Sequence, residues 1–420
     1  MVPNAVQGIF RRRRAAVAAA TRADVDRWAI GLLAGMRRSY EGGPVWVRVI
    51  RDRALLLLSR EDVAHVLAGA PEPYAADPPA KRKGMSRFQP DALTISRGEL
   101  WRNRRRFTEA VLDTAERHHR LAERFAAVCG EEVEALVAER DVHGGRLEWD
   151  EWQAAFRRLV RRVVLGDGAR EDEALSELLA ELMSQANSLP SGESESLRAF
   201  TARLERYVDD AEPGSLCALI AEAPHDEETD VAGQLPHWLF ASHDTLAINA
   251  FRALALIASH EPQRRRVLEE LSAGGESGYL EACLEEAMRL WPTTTMLARE
   301  TVERVTFHGE AIPEGTQVVI VSTFMHRDAD QHEYANRFAP EEWTEGDAGE
   351  DWSFNHLSHG PQGCPGASLA LFLGTTVLAE LLRSRSVRLE SPSLDPSRPL
   401  PHMLDFFAIR FALDTPPEVA

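Results

Sequence analysis

Apolar residues spaced three and four apart recur along most of this chain and predict helices. One stretch is apolar on nearly every face, which predicts a helix buried at the centre of the fold. A further helix ends at Pro292, and the last one starts after Gly366 and runs to about Arg383. In chain order these predicted helices are 24–40, 98–139, 148–165, 171–187, 195–209, Leu235–His260, Gly278–Trp291 and the helix after Gly366.

Strand signals are few and lie in three places. The predicted strands are Val45–Ile50 with Ala54–Leu58 as a hairpin, Val302–Phe307 and Gln317–Ser322 on either side of a Pro-Glu-Gly turn, and a short pair within His402–Phe411. The polar segments 71–90 and 328–354 are typical of loops. The pattern predicts a mainly α fold with a minor β part. We expect one domain over 1–420, with sheet regions near 45–60, 300–325 and 400–412.

The charge and the cysteine spacing limit the possible partners and the cellular location of this protein. The 48 basic and 66 acidic residues give a net charge of −18, which argues against nucleic acid or anionic lipid as the main partner. No run reaches the roughly 18 apolar residues of a membrane span, so we expect no membrane anchor. The four cysteines are far apart and form no CxxC pair. Reduced thiols in a cytoplasmic protein fit this spacing best.

One cysteine lies in a glycine-rich loop just before an apolar helix, within Leu357–Gly366. A thiolate at a helix N-terminus is stabilised by the helix dipole and by free backbone N–H groups. Gly360, Gly363 and Gly366 let the backbone pass close to a flat ligand. A lone Cys364 would more often be a core residue in a helix cap, but the flanking glycines favour a ligand of haem iron.

This loop resembles the haem loop of the cytochrome P450 family, FxxGxxxCxG. Gly360, Cys364 and Gly366 match that motif, Leu357 stands where Phe is usual, and Gln362 stands where His or Arg often contacts a haem propionate. The resemblance implies that haem b is the cofactor and that these five residues bind it, with Cys364 as the iron ligand.

Two further motifs follow the family's order. Glu286 and Arg289 are three residues apart on one helix face, as in the family's ExxR motif, and the resemblance implies that they lock the fold near the haem loop. It also implies that Arg299 binds a propionate. The segment Phe338–Trp343 is similar to FxPERF, with Glu342 where Arg is expected. We expect Arg337 to supply the missing guanidinium to Glu286.

The central helix carries Ala241-Ser-His-Asp-Thr245, which resembles the family's AGx(D/E)T oxygen-activation motif. A buried Asp in an apolar helix is costly unless it is hydrogen-bonded or functional. Thr245 can bond the carbonyl four residues back and open the helix, while Asp244 can relay protons. Upstream, Trp101 and Arg105 lie one turn apart as in the WxxxR helix, and the resemblance implies that both face the propionates.

The resemblance therefore implies a monooxygenase that activates O2 and oxidises a small organic substrate. It implies electrons from NAD(P)H through a separate ferredoxin and ferredoxin reductase, and a place in secondary metabolism. A peroxide-driven or oxidative-coupling enzyme, and a haem-binding sensor without turnover, remain alternatives. The residues expected to line the substrate pocket are Phe88, Leu93, Phe240, Ala241, His243, Thr294, Thr295, Met296, Leu404 and Phe406.

Overall fold

The computed structural model describes residues 7–8, 10–49, 52–187, 194–275 and 277–415. The fold is mainly α with a small β part, as predicted. The helices are α1 Arg14–Ala23, α2 Val25–Ser39, α3 Arg60–Ala68, α4 Pro79–Met85, α5 Gly98–Leu112, α6 Ala122–Val142, α7 Trp149–Leu165, α8 Glu173–Ala186, α9 Glu195–Asp209, α10 Leu235–Phe240, α11 Ala247–Ser259, α12 Glu261–Ala273, α13 Gly278–Leu290, α14 Ser322–Arg327, α15 Glu341–Thr344 and α16 Ala367–Ser384.

The strands are β1 Val45–Val49, β2 Asp52–Leu56, β3 Tyr74–Ala75, β4 Arg146–Leu147, β5 Leu297–Thr301, β6 Val305–Phe307, β7 Glu310–Ile312, β8 Gln317–Ile320, β9 Ser386–Ser391 and β10 Arg410–Asp414. They form a five-stranded sheet in the order β1-β2-β8-β5-β3, a three-stranded sheet β4-β10-β9 and the pair β6-β7. Helices predicted from apolar spacing agree with α2, α7, α8, α9, α13 and α16 to within two residues at each end.

The prediction of one helix over 98–139 is wrong, because the chain turns between α5 and α6. Asp113 follows α5 in the left-handed region with φ +48°, where the helix cannot continue. Its Oδ2 accepts a hydrogen bond from the backbone N–H of Arg120 at 2.7 Å, and the Arg120 guanidinium binds the same carboxylate. These bonds close the turn, and helical spacing resumes in α6.

The predicted central helix is confirmed as one continuous run through α10, a wide π turn at Ala241–Leu246, and α11. Its residues from Leu246 to Ile257 are buried except Arg252, and they belong to the larger of two hydrophobic clusters. The run packs against α7, α13 and α16. Burial on all sides explains why apolar residues occur on every face of this helix.

Among the residues that the structure describes, α16 is the one helix long and apolar enough to cross a membrane. Half of it is buried inside the protein, where it packs against α6 and α13. Leu373, Val377 and Leu381 are among its core residues. These contacts are those of a core helix.

The hairpin of β1 and β2 is confirmed, and its register pairs Val45 with Leu56 and Val49 with Asp52. Ile50, predicted as the end of the first strand, lies outside the described residues. The two strands predicted on either side of the Pro-Glu-Gly turn are present as the shorter β6 and β8, and β6 pairs with β7. Strand β8 pairs antiparallel with β5 and parallel with β2.

The predicted strand pair within His402–Phe411 is also wrong. Phe406–Ala408 forms a single 3-10 turn, and β10 pairs with β9 and β4. The segment 71–90, predicted to be a loop, contains β3 and α4, and α15 interrupts the predicted loop 328–354. Pro79 begins α4, where its fixed φ suits the first turn of a helix.

Candidate active site

The loop before α16 is held in one conformation by its own backbone. The N–H of Cys364 donates to the carbonyl of Leu357 at 2.8 Å, and the N–H of Gly363 donates to the carbonyl of Gly360 at 2.9 Å. Gly360 has φ +68°, and a Cβ there would lie 2.5 Å from the carbonyl oxygen of Leu67 at the end of α3. Only glycine fits this contact, so the loop packs directly against the end of α3 at Gly360.

Cys364 differs from the other three cysteines, which are buried, because its side chain is exposed. Burial by the surrounding protein nevertheless raises the pKa of the Cys364 thiol, while the N–H of Gly366 and the guanidinium of Arg105 oppose that rise. A thiol that is exposed and yet desolvated lies in a recess of the protein. Its position at the N-terminus of α16 suits a thiolate that binds a metal.

Helix α5 holds the other side of this loop. Arg105 Nη1 donates to the carbonyl of Gly363 at 2.6 Å, and its Nε binds Glu109 Oε1 at 2.6 Å. Thr114 Oγ1, just after α5, donates to the carbonyl of Pro365 at 2.6 Å. The structure thus shows Arg105 positioning the loop. Trp101 is half-buried one turn earlier, and its contact with a propionate stays a prediction.

Arg299 on β5 approaches the same loop and is 3% exposed. Its Nη2 donates to Ser358 Oγ at 3.1 Å and its Nη1 to the carbonyl of Ala298 at 3.1 Å, whereas its Nε has no partner. Burial lowers the pKa of Arg299 to about 10. A buried guanidinium whose only partners in the chain are neutral groups is suited to bind the anionic group of a ligand. Gln362 Oε1 is also buried without a partner.

Glu286 and Arg289 on α13 form a closed ion pair with both side chains 0% exposed. Arg289 Nε and Nη2 bind the two carboxylate oxygens at 2.6 and 2.7 Å. The remaining N–H groups of Arg289 donate to backbone carbonyls, including that of His326 at 2.8 Å and that of Ala335 at 3.2 Å. The pair therefore joins α13 to the chain that follows α14.

The third partner of Glu286 is not Arg337, so that prediction is wrong. The guanidinium of Arg337 is exposed and donates to the carbonyl of Glu333 at 3.4 Å, while its own carbonyl accepts from Arg289 at 3.1 Å. Trp343 Nε1 donates to Glu286 Oε2 at 2.9 Å instead, and the N–H of Ala339 donates to Oε1 at 2.9 Å. The signal in the sequence was the indole N–H of Trp343 at the end of the Phe338–Trp343 motif.

The π turn at Ala241–Leu246 carries the acid–alcohol pair. Wide turns of this kind occur at functional sites because they free backbone groups inside a helix. Asp244 Oδ1 accepts from Gln153 Nε2 of α7 at 2.7 Å. Burial raises the pKa of Asp244, and the opposing effects come from Arg157, the Gln153 bond and Arg11. Thr245 is half-buried in the same turn.

His243, predicted to line the substrate pocket, faces α7 instead. Its side chain is buried and its Nε2 has no partner. Burial holds its pKa well below the usual value, with Arg157 and Arg161 adding to the effect. His243 is therefore a neutral core histidine on the α7 side of the π turn.

The structure brings some of the other predicted pocket residues together in two groups. Phe88 lies in a row of rings, with centroids 5.4 Å from Phe10 and 5.4 Å from Phe240. Thr295, Leu404 and Phe406 line a cavity of about 50 Å³. The other predicted pocket residues are scattered. Leu93 is buried, Ala241 is half-buried next to Phe240 in the chain, and Thr294 is exposed. Met296 packs against the smaller hydrophobic cluster, which includes residues of β2 and β8.

The N-terminal segment contributes a residue to each of these two groups, and the sequence did not predict this. The Phe10 ring packs so closely on α4 that a Cβ at Gly84 would lie 2.6 Å from it. The Phe10 N–H donates to Asn187 Oδ1 at 3.0 Å, and Arg12 Nη2 donates to the carbonyl of Thr293 at 2.9 Å. Arg12 also lines the small cavity, together with Arg252. Nothing in the spacing of these residues indicated a contact with the pocket.

Part of this chain is similar in sequence to known proteins. The family model for cytochrome P450 matches residues 216–404. Cytochrome P450 4c3 of Drosophila melanogaster is 28% identical over 174 residues, which cover 38% of this chain and 32% of that protein. Putative cytochrome P450 137 of Mycobacterium tuberculosis is 28% identical over 156 residues, covering 37% and 32%. The chain thus aligns with about a third of the length of these relatives.

Similarity of fold extends over nearly the whole chain. A cyanobacterial protein, CYP120A1 with bound retinoic acid, superposes with a TM-score of 0.73 at 18% identity, covering 91% of this chain and 94% of that one. P450BioI, solved with acyl carrier protein ligated to hexadec-9Z-enoic acid, gives a TM-score of 0.69 at 15% identity, covering 91% and 97%.

The fold of this chain is that of the cytochromes P450. Through residues 216–404 the chain matches the cytochrome P450 family, and the relatives and solved neighbours that resemble it are cytochromes P450. Members of this family bind haem b, and the residues here fit that group. Cys364 offers an accessible thiol for the iron, and Arg299 offers a buried N–H without a partner for a propionate. Across the described residues no three His, Cys, Asp or Glu side chains cluster as a separate metal site.

Proposed function

We propose that this protein is an O2-activating monooxygenase that oxidises a small organic substrate. The observation that carries this proposal is the accessible Cys364 thiol at the N-terminus of α16, in a loop fixed by Gly360 and Arg105. Bound there, a haem-thiolate centre supplies an electron-rich iron that favours O–O cleavage. The residues of the chain hold that centre and manage protons and substrate around it.

Asp244 holds and passes protons at its carboxylate. Its raised pKa, caused mainly by burial, brings proton exchange closer to neutral pH than for a free Asp. Gln153 fixes Oδ1 of this carboxylate from α7 at 2.7 Å, which leaves Oδ2 to receive and release the proton. Thr245, the next residue in the π turn, supplies the hydroxyl that receives it.

An apolar substrate would lie against Phe10 and Phe240, the two half-buried rings of this row, which Phe88 joins at 0% exposure. Aromatic faces bind apolar ligands and exclude water. The neighbours with retinoic acid and a hexadecenoyl group carry long apolar ligands, which supports the same class of substrate here. We expect a product of secondary metabolism to be the substrate.

Electrons would come from NAD(P)H through a separate ferredoxin and ferredoxin reductase. Arg102 and Arg106 are exposed on α5, the helix that also holds the Cys364 loop, and would meet an acidic ferredoxin once Arg102 exchanges its ion pair with Glu99. Arg104 is buried and bonds Ser96, so it does not contribute to that contact. Four free cysteines fit a cytoplasmic location, which cell fractionation would test.

The test of the haem-thiolate centre is the optical spectrum of the reduced protein with CO. We expect a Soret band at the thiolate-ligated position in the wild type and in Cys217→Ala, a buried cysteine away from the loop. Cys364→Ala should lose that band. A wild-type protein without the band, or a band that persists in Cys364→Ala, contradicts the proposal.

Turnover assays driven by NAD(P)H and by peroxide test whether the enzyme uses O2 or peroxide as the oxidant. We expect Asp244→Asn to slow NAD(P)H-driven oxidation by about 10²-fold, because general acid catalysis contributes at least that much. Peroxide-driven oxidation should change little. Equal loss in both assays, or turnover with peroxide alone in the wild type, favours a peroxide-driven enzyme. Binding of ligands without any turnover favours a sensor.

A further inference from the structure

A small cavity lies between the N-terminal segment and α11, and two arginines form part of its wall. Its volume is about 50 Å³, and Arg12, Arg252, Ile248 and Phe406 are among the residues that line it. One water-sized atom needs roughly 10–15 Å³ of such space. The cavity therefore has room for one small functional group of about four heavy atoms, and the rest of a ligand has to lie outside it.

Both guanidiniums are fixed to backbone that lines this cavity. Arg252 Nη1 donates to the carbonyl of Trp291 at 2.7 Å, and its Nη2 donates to the carbonyl of Leu404 at 3.0 Å. Arg12 Nη2 donates to the carbonyl of Thr293 at 2.9 Å. The three residues that accept these bonds all line the cavity, and Trp291 and Thr293 are two positions apart in the chain. The backbone after α13 therefore brings both arginines to the same cavity.

The protein pairs neither arginine with an acid. Arg12 Nη1 donates to the carbonyl of Gly8 at 3.1 Å, and the Nε of Arg252 is buried without a partner. Within the described residues no carboxylate lies at ion-pair distance from either guanidinium, not even that of Asp26, which also lines the cavity. Burial raises the pKa of Asp26 to about 6, with Arg12 opposing the rise. A desolvated cation without a counter-charge is costly, and an anion in the cavity removes that cost.

The cavity adjoins the candidate active site. Ile248 lies three residues after Thr245 on the central helix, which is about one turn, or roughly 5 Å along the axis. Thr295 and Leu404, two of the residues expected to line the substrate pocket, line the cavity as well. A ligand held by one end in the cavity therefore begins about one helical turn from the acid–alcohol pair.

We propose that Arg12 and Arg252 bind the carboxylate group of the substrate, so that the substrate of this protein is an apolar organic acid. The inference rests on the proposed function and names its substrate class. A carboxylate accepts N–H bonds from guanidinium groups, and its three heavy atoms fit the cavity. A phosphate is larger and carries a second charge, which Asp26 would repel. The carbon chain continues from the cavity along Ile248 and Phe406, which give it apolar walls.

The experiment measures the preference of the haem-loaded protein for acids over alcohols. Dodecanoic, hexadecanoic and farnesoic acids, each paired with its own alcohol, are titrated by calorimetry, and the ratio of the two dissociation constants is compared between variants. We expect the wild type to prefer the acid. Arg12→Gln and Arg252→Gln should each lower this preference about 10-fold, because each loses a charge-assisted bond, and should leave alcohol binding unchanged.

Two controls separate binding from folding. Arg13→Gln removes an exposed guanidinium next to Arg12 in the chain and should keep the preference of the wild type. Arg252→Lys keeps the charge and should restore most of the preference that Arg252→Gln loses. Thermal unfolding of each variant checks that the fold is retained. A wild type that prefers none of the three acids over its alcohol overturns the inference.

Asp26 provides a test in the opposite direction. Asp26→Asn removes a negative charge from the cavity wall and keeps the size of the side chain, so the acids should bind about 3-fold more tightly while the alcohols bind as before. Weaker binding of the acids in Asp26→Asn would show that Asp26 already serves as the counter-charge of the arginines, and would contradict the proposed carboxylate site.

The outcomes are distinct from those for the proposed function, because calorimetry reports acid binding without the haem signal. A wild type without the thiolate-ligated CO band refutes the haem-thiolate centre, whatever its preference for acids. A wild type with that band, in which Arg12→Gln and Arg252→Gln both keep the acid preference, overturns the inference about the cavity alone.

Discussion

Two buried arginines in this protein have opposite surroundings. Arg289 is 0% exposed, and every N–H of its guanidinium has an acceptor within the chain, with the charge balanced by Glu286. Arg299 is 3% exposed, bonds only a hydroxyl and a carbonyl, and keeps one N–H without a partner. Burial is almost equal at the two sites, so burial does not distinguish them.

The difference lies in where the counter-charge comes from. A buried cation that is neutralised inside the protein holds elements together, as Arg289 holds α13 to the chain after α14. A buried cation without an internal counter-charge costs free energy until a ligand arrives. The first arrangement therefore indicates a structural role and the second a binding site. Removing one charge at each site should have opposite effects on the protein without haem.

The largest expected effect is at the closed ion pair of Glu286 and Arg289. Glu286→Gln leaves the Arg289 charge buried and unbalanced, so the free energy of unfolding should fall by about 3–5 kcal/mol. Denaturant unfolding of the purified protein measures this loss. Glu285→Gln is the control on the same helix, and it should be neutral or stabilising because burial, with Glu281 and Glu286 nearby, already raises the Glu285 pKa to about 8. Equal losses in the two variants would contradict the closed-site interpretation.

At Arg299 the change in the free energy of unfolding should have the opposite sign. In Arg299→Met, the free energy of unfolding of the apoprotein should be unchanged or higher by about 1 kcal/mol, because a buried cation without a counter-charge is removed. Haem should nevertheless leave the variant faster. Unfolding of the apoprotein and haem transfer to apomyoglobin measure the two effects. An apoprotein destabilised as much as Glu286→Gln would show that Arg299 is structural.

A smaller effect tests the correction at Trp343. Trp343→Phe keeps the ring but removes the hydrogen bond to Glu286, which should lower the free energy of unfolding by about 1.5–3 kcal/mol. Arg337→Ala should change it by less than about 0.5 kcal/mol, since that guanidinium is exposed. Unfolding curves in denaturant compare the two. A larger loss in Arg337→Ala would restore the original prediction from the sequence.

The smallest effect is a dependence on pH. Burial raises the pKa of Glu285 from 4.5 to about 8, so the folded protein binds more protons than the unfolded chain between those values. Stability from this group is therefore present below about pH 4.5 and is lost as pH rises towards 8. Glu285→Gln should make the free energy of unfolding less dependent on pH in that window. An unchanged slope between pH 5 and pH 8 would contradict this assignment.

The sequence predicted the parts of the fold that depend on local periodicity. The central helix is apolar on every face, and its extent was predicted to within one residue. Strand pairing depends on residues far apart in the chain, so the local pattern did not reveal that β8 pairs with β5 and β2.

The site shows the same division. The contact between Glu286 and Arg289 was predicted because its motif lies in a short segment, while the role of Cys364 stays a prediction. The contact of Trp343 with Glu286 spans 57 positions, and the expected guanidinium of Arg337 points elsewhere. His243 was misplaced because a π turn changes which residues of a helix share a face, and apolar spacing does not reveal such a turn.

Phe10 has a practical consequence for work on this protein. Its ring is part of the row that ends at Phe240, and its N–H is bonded to Asn187. Because the proposed substrate lies against this row, a peptide fused close to Phe10 should alter ligand binding on its own. An affinity tag placed after β10 avoids this interference, and titrations with both tag positions would measure it.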